Sequence, residues 1–368
     1  MRRLLPLLLA MILLLSGCGR RAETPPEPVE PPPETEEPGE SQAVSPENSL
    51  LLDSLRIEVS RSGLDSGRLM EAARRLPELL RSALADCHIQ VDMVQVTIGS
   101  SPAATVQALN EGSVDLAVLP AEGFAGQETE AEVLLASGPG GEDLPLWTDC
   151  AVGFQTAIWA ASTDYGLKLA GRAGKEGGLP AWEELDHARW GLLGPDSLPG
   201  RRAVDLYLAD NYEGNATADL SHVAVYEDFD RLFQAAADGE IDVFLADGGI
   251  VEFGEGDHGE ASSGSFFRLG ETERFYEMVL AVSPAREDLS APELNLRDPL
   301  MHTLTQLCWY DGSQTLPDGT PAFSGNGYDA ETLALCRDVF GSCRYAWAEN
   351  EDLLPTRRLL ALEGRAAE

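Results

Sequence analysis

One pattern occurs twice in this chain. Asn110-Glu111-Gly112-Ser113-Val114-Asp115-Leu116-Ala117-Val118-Leu119 and Asp238-Gly239-Glu240-Ile241-Asp242-Val243-Phe244-Leu245-Ala246 each follow a helical stretch, break at a glycine, and pass through an aspartate into an apolar run. A strand without polar alternation is buried on both faces, as strands of a parallel sheet covered by helices are. Two copies of the pattern imply two such sheets.

The flanking residues agree. Leu55-Arg56-Ile57-Glu58-Val59 alternates like a strand. Residues 69–85 have helical spacing, with Leu69, Ala72, Ala73, Leu76, Leu79, Leu80 and Leu84 on one face and Pro77 as a potential kink. Val91 to Ile98 reads as a strand, Ser100-Ser101-Pro102 opens a helix that runs to Leu109, and Val114 to Leu119 is the next strand. The second half repeats this grammar: strands at 154–161, 190–193, 223–225, 241–246 and 278–282, and helices at 182–185, 201–211 and 229–237. Helices at 296–309 and 329–340 have no strand between them and are expected to pack back on the first half. The predicted fold class is α/β, with two doubly wound α/β lobes and a ligand cleft between them. Lobe 1 is expected over 55–150, completed by 290–368, and lobe 2 over 151–289, with crossings near 148–156 and 283–292.

The N-terminus constrains location. Arg2 and Arg3 precede an aliphatic run from Leu4 to Leu15, and Ser16-Gly17 lead directly to Cys18. That is the layout of a secretory signal peptide, too short for a comfortable transmembrane helix. With a cysteine at the cleavage point it resembles the bacterial lipoprotein signal. The resemblance implies removal of residues 1–17 and a lipid on Cys18, hence an extracytoplasmic protein anchored to the cell membrane. Residues 18–54 read as a tether: the window 22–53 holds nine acidic residues, eight prolines and no basic residue. Such a segment buries too little apolar surface to offset its ordering entropy.

Beyond the tether the chain carries 53 acidic against 22 basic residues, which argues against nucleic acid as a partner. No P-loop, G-x-S-x-G or H-E-x-x-H motif is present, and the five histidines are dispersed, so no catalytic centre, metal or cofactor is expected. Five cysteines follow Cys18 and form no C-x-x-C pair. Cys308, Cys336 and Cys343 are close enough in sequence for one disulfide among them, and the odd total leaves at least one thiol unpaired within the chain.

Three stretches carry a family resemblance. They are Leu55 to Ser60 with the following loop and helix, Val96-Thr97-Ile98-Gly99-Ser100-Ser101-Pro102-Ala103-Ala104-Thr105 running on to Ala117, and Trp190 to Ser197 taken with Asp238 to Val243. Together they resemble the periplasmic phosphonate-binding family, within the two-lobed type II solute-binding proteins of ABC transporters. The resemblance spans residues 55–290 and implies a monomer that captures a small anionic or zwitterionic solute for a membrane permease. A solute-sensing lipoprotein subunit and, more distantly, an extracytoplasmic hydrolase are the alternatives. One place departs from the family: Asp196-Ser197-Leu198-Pro199-Gly200 stands where small hydroxyl residues are usual.

The chemistry of the expected site follows from helix starts. A helix N-terminus presents unpaired N–H groups and a partial positive charge. Ser60, Ser100, Ser101 and Thr105 lie at strand ends and a helix start of the first half, and Ser197, Gly200 and Arg201 at those of the second. Facing one another they would make an anion clamp. Asp196, or Asp247 at the end of the second repeated strand, would instead meet an amine.

Overall fold

The computed structural model describes residues 49–60, 66–138, 153–176, 180–247, 266–286, 289, 297–308, 330–341 and 345–364. The expected signal peptide, Cys18 and the tether up to residue 48 lie outside the described residues, as do Cys150, Cys343 and most of the two expected crossings.

Two sheets form. In the first, β1 (Leu50–Val59), β2 (Ile89–Ile98), β3 (Leu116–Pro120), β4 (Glu132–Ser137), β10 (Met278–Val282) and β11 (Ala346–Trp347) lie in the order β11-β4-β10-β3-β1-β2. In the second, β5 (Thr156–Ala161), β6 (Trp190–Leu192), β7 (Val223–Val225), β8 (Val243–Asp247) and β9 (Phe266–Glu271) lie in the order β7-β6-β8-β5-β9. Read inward from β2 and from β7, five strands of each sheet correspond, and β11 is an addition to the first. Each has a parallel trio, β2-β1-β3 or β7-β6-β8, followed by an antiparallel strand, β10 or β5, and then β4 or β9. The sheets are therefore mixed rather than wholly parallel.

The helices are α1 (Ser66–Asp86), α2 (Pro102–Asn110), α3 (Ala121–Ala125), α4 (Asp164–Glu176), α5 (Trp182–Asp186), α6 (Ala203–Asn211), α7 (Phe229–Ala237), α8 (Arg297–Cys308), α9 (Ala330–Phe340) and α10 (Leu354–Leu362). α1, α8 and α9 cover one face of the first sheet. Leu76, Leu80 and Leu84 meet Ile57, Val59, Leu304, Leu307, Val339 and Phe340 in one buried cluster. The other face packs against α2, α3 and α10 through Val106, Leu109, Phe124, Leu353 and Leu360.

The repeated aspartates explain why both trios share one register. β1 meets β3 first at Ile57 and Leu116, and β6 meets β8 first at Trp190 and Val243. One step earlier the third strand has not begun, and a carboxylate takes its place. Asp115 accepts from the Arg56 backbone N–H (2.7 Å), Nε (3.1 Å) and Nη2 (2.5 Å). Asp242 accepts from the same three groups of Arg189, at 3.0, 2.9 and 2.7 Å. Both carboxylates are buried. Gly112 and Gly239, at φ +68° and +72°, turn the chain out of the preceding helices toward them.

Three observations differ from the sequence reading. Residues 50–54, assigned to the tether, are strand, because Leu50 to Ser54 pair with Ile89 to Met93 and Leu52 joins the core. Residues 278–282, assigned to lobe 2, lie in the first sheet between β3 and β4. The second crossing therefore falls between Glu271 and Met278, before the expected 283–292. It lies beside the first crossing: Phe154 and Phe275 exchange both backbone hydrogen bonds at 2.9 Å, and their rings stack at 5.8 Å. Finally, Cys336 and Cys87 are free thiols, so neither disulfide that would use Cys336 forms. Cys336 is buried, which pushes its pKa up to about 12 and leaves it unreactive at neutral pH.

The paired aspartates predict a shared acid sensitivity. Burial raises the Asp115 and Asp242 carboxyls, but the arginine hydrogen bonds outweigh it and hold both below the ordinary carboxylate range. The unfolded chain then binds protons more readily than the folded one. The stability these groups contribute is present above the ordinary carboxylate pKa and is lost as pH falls through that range toward the lower folded value. Asp115→Asn or Asp242→Asn is expected to cost about 2 kcal/mol at pH 7, less than a fully dry pair because both arginines stand partly in water. Urea unfolding at pH 7 and pH 3 checks this, with a smaller difference between the two pH values in each variant than in the parent.

Candidate functional site

Ligands of open α/β sheets sit beyond the carboxyl ends of the parallel strands. In the first lobe those ends are Ser60 after β1, Gly99-Ser100-Ser101 after β2, and Pro120 leading into α3. In the second they are the segment Leu193 to Gly200 after β6, Tyr226 to Asp228 after β7, and Asp247 closing β8.

The first-lobe edge is built around α2. Ser101 is extended (φ −164°) and caps the helix, its Oγ accepting from the Ala104 N–H at 3.2 Å, with Pro102 in the first turn. Ser100 is exposed and Ser60 buried. Thr105 does not face outward as expected of a ligand donor. It is fully buried, and its hydroxyl donates to Glu58 Oε1 at 2.5 Å. Thr97 Oγ1 donates to Glu58 Oε2 at 3.3 Å. A side chain at Gly99 would overlap Thr105 Oγ1 and the Glu58 carboxylate, so glycine is required there. Glu58 thus lies under the first turn of α2, where the helix field favours an anion. Sequence reasoning missed it, because Glu58 sits at a polar position of an alternating strand and its threonine partners lie on other elements.

The second-lobe edge is a π-helical turn, Leu198–Arg202, ahead of α6. Ser197 caps it, accepting from the Gly200 N–H at 3.1 Å. Gly200 is packed so closely on Leu193 that a Cβ would strike that side chain. Thr156 Oγ1 donates to the Pro199 carbonyl at 2.8 Å, and Thr156 is in register with Asp247. The Asp247 side chain lies outside the described residues. Arg201 was expected at the clamp, but its Nε donates to Thr217 Oγ1 at 3.0 Å within the second lobe.

The next residue, Arg202, joins the lobes. Its Nη1 and Nη2 donate to Glu122 Oε1 and Oε2 at 2.7 and 3.1 Å, and its Nε and Nη2 to Glu363 Oε1 and Oε2 at 2.6 and 2.9 Å. Burial works against its charge, and the two carboxylates outweigh this and raise its pKa. Glu122 stands in α3 beside Gly123, which lies so near Pro102 at the start of α2 that a side chain on it would strike that ring. The start of α2 and the start of α6 are therefore linked through one chain of contacts, Pro102 to Gly123, Glu122 to Arg202. Among the described residues no group of His, Cys, Asp and Glu could hold a metal, and no helix is long and apolar enough to cross a membrane.

No family model and no curated protein matches this chain. Several solved structures are distantly similar to it. PhnD1 of Prochlorococcus marinus, determined with methylphosphonate, is similar over 85% of this chain and 99% of its own, at 11% identity and a TM-score of 0.37. The binding-protein component of a phosphonate ABC transporter from Pseudomonas aeruginosa aligns over 85% and 87%, at 13% identity and a TM-score of 0.35. Transferrin 1 of Manduca sexta aligns over 86% of this chain and 47% of its own, at 10% identity and a TM-score of 0.47. At these values the likeness carries no argument, and the fold and the site rest on the chain's own strands, helices and side chains.

Thr105 is thereby a structural residue. Thr105→Val is expected to cost about 1–2 kcal/mol by leaving Glu58 short of a buried donor. Chemical denaturation measures the loss, and affinity for any solute bound at the strand ends should stay unchanged.

Proposed function

We propose that this protein is an extracytoplasmic solute-binding protein, lipid-anchored through Cys18, that delivers a small anionic or zwitterionic solute to an ABC permease. The observation that carries the reading is the pair of equivalent sheets whose parallel strands end at capped turns, with α2 and the turn before α6 linked across the lobe boundary. Ser60, Ser100 and Ser101 supply hydroxyls on one side, and the backbone turn from Ser197 to Gly200 supplies the other. Asp247 is the acceptor for a cationic group of the solute. Arg201 keeps a supporting role, since its guanidinium already serves Thr217.

The acidic body disfavours anions at long range, but charges beyond about 8 Å are screened at physiological salt, while donors inside a closed site are not. The test is a thermal-shift screen of phosphonates, phosphate esters, sulfonates, amino acids and neutral sugars, followed by calorimetry on Ser100→Ala and Ser101→Ala. A charged solute that raises the melting temperature, and loses about tenfold in affinity in either variant, supports the reading. A neutral sugar bound equally well by both variants overturns the anion-binding part. The anchor has its own test. Cys18→Ser is expected to move the protein from the membrane fraction to the soluble one, or to leave an uncleaved precursor. Intact mass of the parent protein should show an acylated N-terminal cysteine, and cleavage elsewhere without acyl mass defeats it.

A further inference from the structure

We propose that helix α10 is a strap that holds the two lobes at their resting angle. Its two long sides belong to different lobes. Leu353 and Leu360 are buried with Phe124 and Leu109 of the first lobe. Leu359 is buried with Ala203 and Leu206 of α6 in the second, together with Phe154 and Phe275 of the crossings.

The contact with α6 is a stripe. Arg202, Leu206 and Asp210 stand four residues apart on one face of that helix. Opposite them, in reversed order, stand Glu363, Leu359 and Arg358. Arg202 is held by Glu363 at 2.6 and 2.9 Å, Leu206 packs on Leu359, and Asp210 accepts from Arg358, which also reaches Glu273 between β9 and β10. Two helices from opposite sides of the lobe boundary thus pair antiparallel, apolar in the middle and ion-paired at both ends. Glu122 adds a direct bond from the first lobe to the same arginine.

The physical consequence concerns motion. Among the described residues the crossings meet at the single Phe154 and Phe275 bridge, and one such bridge alone bends readily. A rotation that separates α6 from the first lobe must break the Arg202 and Arg358 pairs or pull α10 off its own lobe. The strap therefore resists opening, and does so whether or not a solute binds.

The experiment compares the solute-free full chain with Glu363→Gln/Arg358→Gln by hydrogen exchange and small-angle scattering. Both residues are exposed and belong to no buried cluster, so the sheets are expected to stay folded, and unchanged protection of β1 and β2 verifies this. The strap predicts that amides of 203–211 and 354–362 lose about tenfold in protection together, equivalent to about 1.4 kcal/mol, and that the radius of gyration rises. The exchanged pair Asp210→Arg/Arg358→Glu should restore part of the protection that Arg358→Glu alone removes. Unchanged exchange and unchanged radius in the double variant, or loss confined to 354–362, overturns the proposal. Because no solute is present, that failure leaves the solute-binding reading untouched.

Discussion

A carboxylate stands in for a missing strand at the start of each lobe. Where β3 and β8 have not yet begun, the backbone N–H groups of Arg56 and Arg189 would be left without a partner inside a covered sheet, at a cost comparable to a lost hydrogen bond. Asp115 and Asp242 take those N–H groups and pair the same arginines' guanidiniums. This sets where the third strand starts, and so which residues of β3 and β8 face each helical layer. A slip by one residue would turn every side chain of a strand to the opposite face. The positions of Pro120 and Asp247 at the strand ends, and of the turns beside them, follow from this starting point.

The chain path supplies the second constraint. β4 leads across to β5, and β9 leads back to β10, while β4 pairs with β10 and β9 with β5. Where both crossings are described they meet antiparallel at Phe154 and Phe275. A single bridge of this kind joins the lobes without stiffening them. What limits its bending is packed against it: the stacked Phe154 and Phe275 rings, Leu359, and the arginines at either end of α6.

Charge is arranged with the same economy. The chain is strongly acidic, yet most buried or half-buried arginines are surrounded by carboxylates of distant segments, as Arg202 is by Glu122 and Glu363 and Arg286 by Asp115. With acids in excess, each guanidinium inside the structure finds partners at little cost, and arginine becomes the residue that ties separate elements together. Glu58 shows the converse case, a carboxylate satisfied by threonine hydroxyls and placed near a helix start.

Local periodicity made the parallel trios, the helices between them, the glycine turns and the serine cap of α2 legible, because each depends on residues a few positions apart. The two-lobed α/β architecture followed from finding that local pattern twice. Membership of β10 in the first sheet was not legible, since its apolar residues suit either sheet and only pairing with β3 and β4 selects one. Nor was the choice between Arg201 and Arg202: adjacent arginines at a helix start look alike in sequence, and the wider π-helical turn aims one at Thr217 and the other across the lobes. Thr105 was misread for the same reason, its partner Glu58 lying on another element. By itself the sequence determined the strands of the two parallel trios, the helices between them and the cap of α2, because those preferences are set by short-range sterics and hydrogen bonding. The elements α3, β4, α4, β9 and α10 were found only in the structure. Only the tertiary structure decided which polar side chains remain available at the strand ends, because that depends on which distant donor or acceptor reaches each one first.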